Sequence, residues 1–174
     1  MGTVNIDAAA IGDMMGNALG FSAQKTRLRN GEHARKAILD GDCSVCGYLK
    51  YSLSKQIGEY LGDLDASVQA VYTYEPEYST GVTHLDGTAP PLERGLNLLV
   101  SVDRRSAALT SVVASLEGAV REAAKPLICS RGNGSCYVLD VKVADEEEVA
   151  RRRGYGALIS SIHVKPLRVW SREA

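Results

Sequence analysis

No apolar run in the sequence approaches the roughly 18 residues that a membrane-spanning helix needs, so none is expected. The opening stretch, MGTVNIDAAAIGDMMG, lacks the basic flank and continuous apolar core of a secretory signal, and a cytoplasmic location is the expectation. An excess of charge of one sign is missing too. Twenty basic residues against 21 acidic ones leave a net charge of −1, so no global field favours nucleic acid or an anionic membrane. Repeats and low-complexity segments are absent. What remains is 174 residues, 45% apolar and 24% charged, which suits one globular domain with a helical extension.

Cysteine is sparse and falls in two pairs, Cys43 with Cys46 in CSVC and Cys129 with Cys136 in CSRGNGSC. In a reducing cytosol such residues mean buried thiols or a metal site more often than disulfides. All four together could form a closed tetrahedral zinc site, although only the first pair has a short knuckle spacing. Alternatively, Cys129 and Cys136 could close a turn as a disulfide under oxidising conditions. A redox Cys-x-x-Cys wants its first thiol at a helix N-terminus, which GDCSVCGYLK allows, but no thioredoxin-type strand precedes it. Unlinked thiols are the simplest of these readings.

The first third of the chain reads as helical. In IDAAAIGDMMGNALG, apolar residues recur at helical spacing from Ile6 to Leu19, with Asn5 or Asp7 as the cap. GEHARKAILDG is a short helix stopped by Gly41. SVCGYLKYSLSKQIGEYLG is a longer one, with Val45, Leu49, Leu53, Ile57 and Leu61 along one stripe and Gly62 at its end. The locally basic QKTRLRNGEHARK between the first two is a solvated linker and helix face rather than a phosphate-binding arm.

From residue 68 the pattern becomes extended. VQAVYTY is a strand, and about 20 residues rich in Gly, Pro and Thr separate it from the next strand, LNLLVSV. A helix over 106–125 follows, capped by Ser106 and ended before Pro126. CYVLDVKVA is the third strand. DEEEVARRRG runs from acid to base in the order that suits a helix dipole, with Gly154 as its stop, and is expected to be a solvated helix rather than a basic handle on RNA. ISSIHVKPLRVWS closes the chain as one or two short extended pieces, with His163 on a sheet face. Two neighbouring strands and a β-α-β crossover give an α/β (α+β) fold, a small mixed sheet with helices packed on it.

In this order, residues 48–174 resemble the nucleotidyltransferase (polymerase-beta-like) superfamily. VQAVYTYEP is similar to a first strand of the VEAVYLFGS kind, GLNLLV to DIDLLV, and LDVKV to a third strand bearing one carboxylate. The resemblance implies nucleotidyl transfer, with two Mg²⁺ ions held by three carboxylates, and a Gly-Ser turn at a helix N-terminus that cradles the triphosphate. Two carboxylates one residue apart on a strand would share a face and reach the same metals.

The chain departs from that pattern at the positions that carry the chemistry. Glu75-Pro76 stands where Gly-Ser is expected, so a negative charge and a missing donor replace the cradle. Gly95-Leu96-Asn97 stands where Asp-x-Asp is expected. Gly95 offers no ligand and Asn97 is a poor substitute for a carboxylate on Mg²⁺. Asp140 alone matches, as a vestigial ligand or as a strand-face residue bonded to a neighbouring amide or Arg. Asn97 is then a substitute ligand or, more simply, a hydrogen-bonded strand residue paired with Asp140. A shifted register would bring Glu93 or Asp103 forward, but Asp103 lies at the far end of the strand.

Other polar residues are weaker candidates. Glu75, Glu77 and Ser79 are the ligand-binding candidates of the long loop, and His84 with Asp86 could form an acid-base or metal pair, though solvated loop residues are the simpler reading of all of them. His33 and His163 are isolated in the sequence. The apolar stripe of the first helix is expected to cover the open side of the sheet or to form a homodimer contact.

Together these features describe an N-terminal helical extension over 1–47 and a nucleotidyltransferase-like domain over 48–174 with a degraded site. A non-catalytic binding or regulatory role follows, with a nucleotide or protein partner. Two competing readings remain. One is an active Mg²⁺-dependent transferase that uses Asp140 with Glu93, Asp86 or Asp103. The other is a zinc-stabilised interaction module built on Cys43, Cys46, Cys129 and Cys136.

Overall fold

A computed structural model describes residues 6–74, 95–128 and 138–172. Helix α1, Ala8–Lys25, starts where Asp7 accepts the Ala9 N–H at 2.9 Å. Helix α2, Gly31–Leu39, is capped by Asn30 and released at Asp40, just before Gly41 with φ +91°. Asp42 accepts the N–H groups of Ser44 and Val45 to begin α3, Cys43–Leu64. Each cap satisfies backbone donors that the first helical turn leaves open.

Strand β1 is Val68–Thr73 and β2 is Leu96–Val102. Ser106 accepts the Leu109 N–H at 3.0 Å at the start of α4, Ala107–Ile128. Strand β3 is Leu139–Asp145, followed by two short helices, α5, Glu146–Arg151, and α6, Gly156–Ile159. Strand β4, Leu167–Ser171, is the last of the described elements. The sheet order is β3-β2-β1-β4, with β2 and β3 parallel and the other two pairs antiparallel. The expected mixed sheet with helices packed on it is therefore present.

Helix α3 lies on β1 and β4, and α4 lies on β3. Helices α1 and α2 form a further layer on α3 and α4, so one buried core runs from Ile11 and Met14 through Leu49 and Ile57 to Leu98 and Val141. Position 47/48 falls inside α3, and α1 and α2 share this core with the sheet. The outer sheet face carries Ala70, Leu99 and Ala144, which are also buried.

Several local expectations are corrected. Gly62 does not end α3, which runs on to Leu64. Its lack of a side chain serves packing instead: a Cβ at Gly62 would overlap the Trp170 indole, and one at Gly58 would lie 2.7 Å from Trp170 Cβ. Helix α4 does not stop before Pro126 but includes it, as burial of Leu127 holds the last turn in place. Helix α5 ends at Arg152, in the left-handed region at φ +51°, before Gly154 is reached. Helix α6 lies just ahead of the segment expected to be extended and takes in only its first residue, Ile159; of that segment Leu167–Ser171 forms a strand, and His163 lies in the turn before β4, not on the sheet.

Long-range polar contacts tie these layers together. Arg172 donates to the carbonyls of Val68, Gly62 and Asp65 at 2.9, 2.8 and 3.0 Å, so it joins the end of α3 to the start of β1. Glu117 of α4 accepts the Val141 N–H at 2.9 Å, which satisfies a donor on edge strand β3. The buried Ser22 hydroxyl of α1 donates to the Val45 carbonyl of α3.

Candidate functional site

Alternation along β2 sends Leu96, Leu98, Val100 and Val102 into the core and leaves Asn97, Leu99 and Ser101 on the outer face. On β3, Leu139, Val141 and Val143 face inward, so Asp140, Lys142 and Ala144 face outward. Parallel pairing sets Asn97 beside Asp140 and Leu99 beside Lys142. The two polar residues singled out in the sequence therefore share one face and one register position.

Asn97 is 3% exposed, and its carbonyl accepts the Tyr74 N–H at 3.2 Å. A neutral amide can be buried here at far smaller cost than a carboxylate. Asp140 is more open and forms an ion pair with Lys142, Oδ1 to Nζ, at 2.8 Å. The Lys142 ammonium also lies over the Tyr155 ring, 5.5 Å from its centroid. The hydrogen bond that Lys142 donates to Asp140 holds the ammonium above the ordinary lysine range, against the opposing pull of partial burial.

These residues do not fit the two-metal site that the resemblance implies. Gly95 has no side chain and adopts φ +65° just before β2. Asn97 contributes an amide, and the Asp140 carboxylate already holds a cation in the form of Lys142. Hard divalent ions need several anionic oxygens, and an ammonium beside the carboxylate opposes their approach. Among the described residues, no three or more His, Cys, Asp or Glu side chains form a group that could hold a metal ion.

No family model, curated protein or solved structure matches the chain.

The remaining candidates are scattered. Asp103 lies at the opposite end of β2, where its Oδ2 accepts Gln69 Nε2 at 3.0 Å and its N–H bonds the Ser67 carbonyl. Six residues of strand separate it from Asn97, about 20 Å of chain. Glu75, Glu77, Ser79, His84, Asp86 and Glu93 lie outside the described residues, as do Cys129 and Cys136. Cys43 is exposed in the first turn of α3, while Cys46 is buried in the core, both as thiols. His33 contacts the α2 cap, with Nδ1 2.8 Å from Asn30 Oδ1.

Residues 145–151 form a capped helix: Asp145 and Glu148 bond each other's backbone N–H in a capping box. Arg105 adds hydrogen bonds to the Val143 carbonyl, at 2.8 Å, and to Glu148. Glu147 and Arg151 form an exposed ion pair at 2.9 Å, as expected for a solvated helix.

Sequence reasoning missed Lys142 and Tyr155. The signal for Lys142 is present in LDVKV, because opposite charges two apart on a strand share a face. Nothing local signals Tyr155, which reaches Lys142 only because α5 folds back over β3.

Proposed function

We propose that the protein is a nucleotidyltransferase-like binding or regulatory protein whose counterpart of the catalytic face does not transfer nucleotides. One observation supports this above the others: the Asp140–Lys142 ion pair at 2.8 Å, where the resemblance assigns a metal-binding carboxylate. The neighbour in register, Asn97, is neutral and buried. A lysine ammonium there takes the electrostatic place of a metal ion without its power to activate a hydroxyl or bridge phosphates.

Calorimetric titration of the full chain with Mg²⁺ and each of ATP, CTP, GTP and UTP tests the proposal. The expected result is no Mg²⁺-dependent binding at a Kd of about 1 mM or tighter. Mg²⁺-dependent binding that disappears in Asp140→Asn would overturn it.

A further inference from the structure

We propose that the groove between α1 and α3 is a binding site for a planar aromatic anion about the size of a mononucleotide. The groove is open to solvent, holds about 890 Å³ and is lined by residues of α1 and α3 alone, so it is separate from the β2–β3 face. Such a volume suits a small ligand. Three rings form its apolar wall. Phe21 meets Tyr48 edge-on at 6.2 Å between centroids and Tyr51 at a tilt at 6.0 Å. Tyr48 and Tyr51 remain 40% and 39% exposed, so both leave ring surface open to a flat partner.

The charge at the rim selects the second half of the ligand. Lys25 and Lys55 both line the groove and are exposed, with Glu59 the single acid in the lining. Neither lysine makes an ion pair among the described residues. Lys25 lies over the Phe21 ring, 5.4 Å from its centroid, which joins cation and ring in one contact. Two lysines beside three rings complement a ring that carries a phosphate or carboxylate. A neutral ring would leave the ammonium groups unused, and a bare anion would leave the rings uncovered.

The test uses the full chain, with AMP and 4-hydroxybenzoate as probes of the phosphate and carboxylate forms, adenosine and inorganic phosphate as the separated halves of AMP, and phenol and acetate as those of 4-hydroxybenzoate. At least one of the two aromatic anions should bind saturably at about 1 mM or tighter, with each half about tenfold weaker or more. AMP alone would assign the phosphate form and 4-hydroxybenzoate alone the carboxylate form.

Lys55→Gln and Tyr51→Leu, both at exposed positions, should each weaken binding about tenfold, while Lys142→Ala on the sheet face should leave it unchanged. Cys43, exposed in the groove lining, provides a second readout, since bound ligand should slow its alkylation. The proposal is overturned if neither anion binds, if adenosine matches AMP, or if Lys55→Gln and Tyr51→Leu have no effect. Binding of a single-stranded oligonucleotide with no binding of either probe would also overturn it.

Discussion

Asp140 and Lys142, two residues apart on β3, form an ion pair 2.8 Å long on the sheet face that also carries Asn97. Alternation along the strand makes this contact local, and the Tyr155 ring beneath the ammonium reinforces it. The carboxylate that the resemblance would assign to a metal is thus neutralised by the chain itself.

The pair has a pH signature. Lys142 is held above the ordinary lysine range by Asp140, so its contribution to stability is complete below the unfolded lysine value, about 10.4. It is lost as pH rises through the higher folded value. Both side chains are about a third exposed, and the contribution should stay below about 1 kcal/mol. NMR titration of the Lys142 side chain should show a raised pKa that returns toward the ordinary value in Asp140→Asn. An unchanged titration in that variant would contradict the pairing.

Restoring a carboxylate at position 97 should harm the fold at neutral pH. Asn97→Asp buries a charge in register with Asp140, and its pKa should rise above the ordinary aspartate value, about 3.9. The penalty, about 1–4 kcal/mol, is then full above the raised folded pKa and shrinks as pH falls toward 3.9. Urea unfolding of this variant and the native protein at pH 7 and pH 5 measures it. Equal losses at the two values would place Asn97 in a more solvated setting than described.

Gly62→Ala should be among the more damaging single-methyl changes in the protein. The added Cβ overlaps the Trp170 indole, which is fixed by β4 pairing and cannot swing away freely. Overpacking of this kind costs about 1–3 kcal/mol. Gly118→Ala on α4, where a Cβ meets nothing, should be neutral or stabilising and is the control. Equal unfolding midpoints for the two variants would contradict the close approach of α3 and β4.

Arg172→Met should loosen the same corner by a different route. Three carbonyls, those of Gly62, Asp65 and Val68, lose a charged donor at once. Charge-assisted hydrogen bonds contribute about 1.5–3 kcal/mol, and a loss in that range is expected. Faster hydrogen exchange should appear at the end of α3 and the start of β1. Exchange that increases only elsewhere would contradict this role.

What was legible in the sequence was what is decided locally. Asp7 and Ser106 cap their helices because capping involves only the next two or three residues. The seven residues of β2 were read without error because a β-branched and leucine-rich run between turn signals has few alternatives. Gly62 and Pro126 were misread as helix ends because their surroundings are tertiary: Trp170 fills the space at Gly62, and the buried Leu127 carries α4 past the proline. The α6 turn was missed because it depends on packing against α5 rather than on its own pattern. At the candidate site, the strand order was enough to set Asn97 and Asp140 side by side in register, but the cation that Asp140 binds is Lys142. Lys142 was overlooked, although its spacing from Asp140 was sufficient to place it.

Paramagnetic broadening by Mn²⁺, a stand-in for Mg²⁺ that reports on its immediate surroundings, tests the central claim most directly. With the Asp140 carboxylate held by Lys142, titration to about 1 mM should leave the amide signals of residues 97 and 140 no more broadened than those of other exposed acids. Selective, saturable broadening at these two positions, abolished by Asp140→Asn, would show that the face holds a divalent ion and would contradict the account.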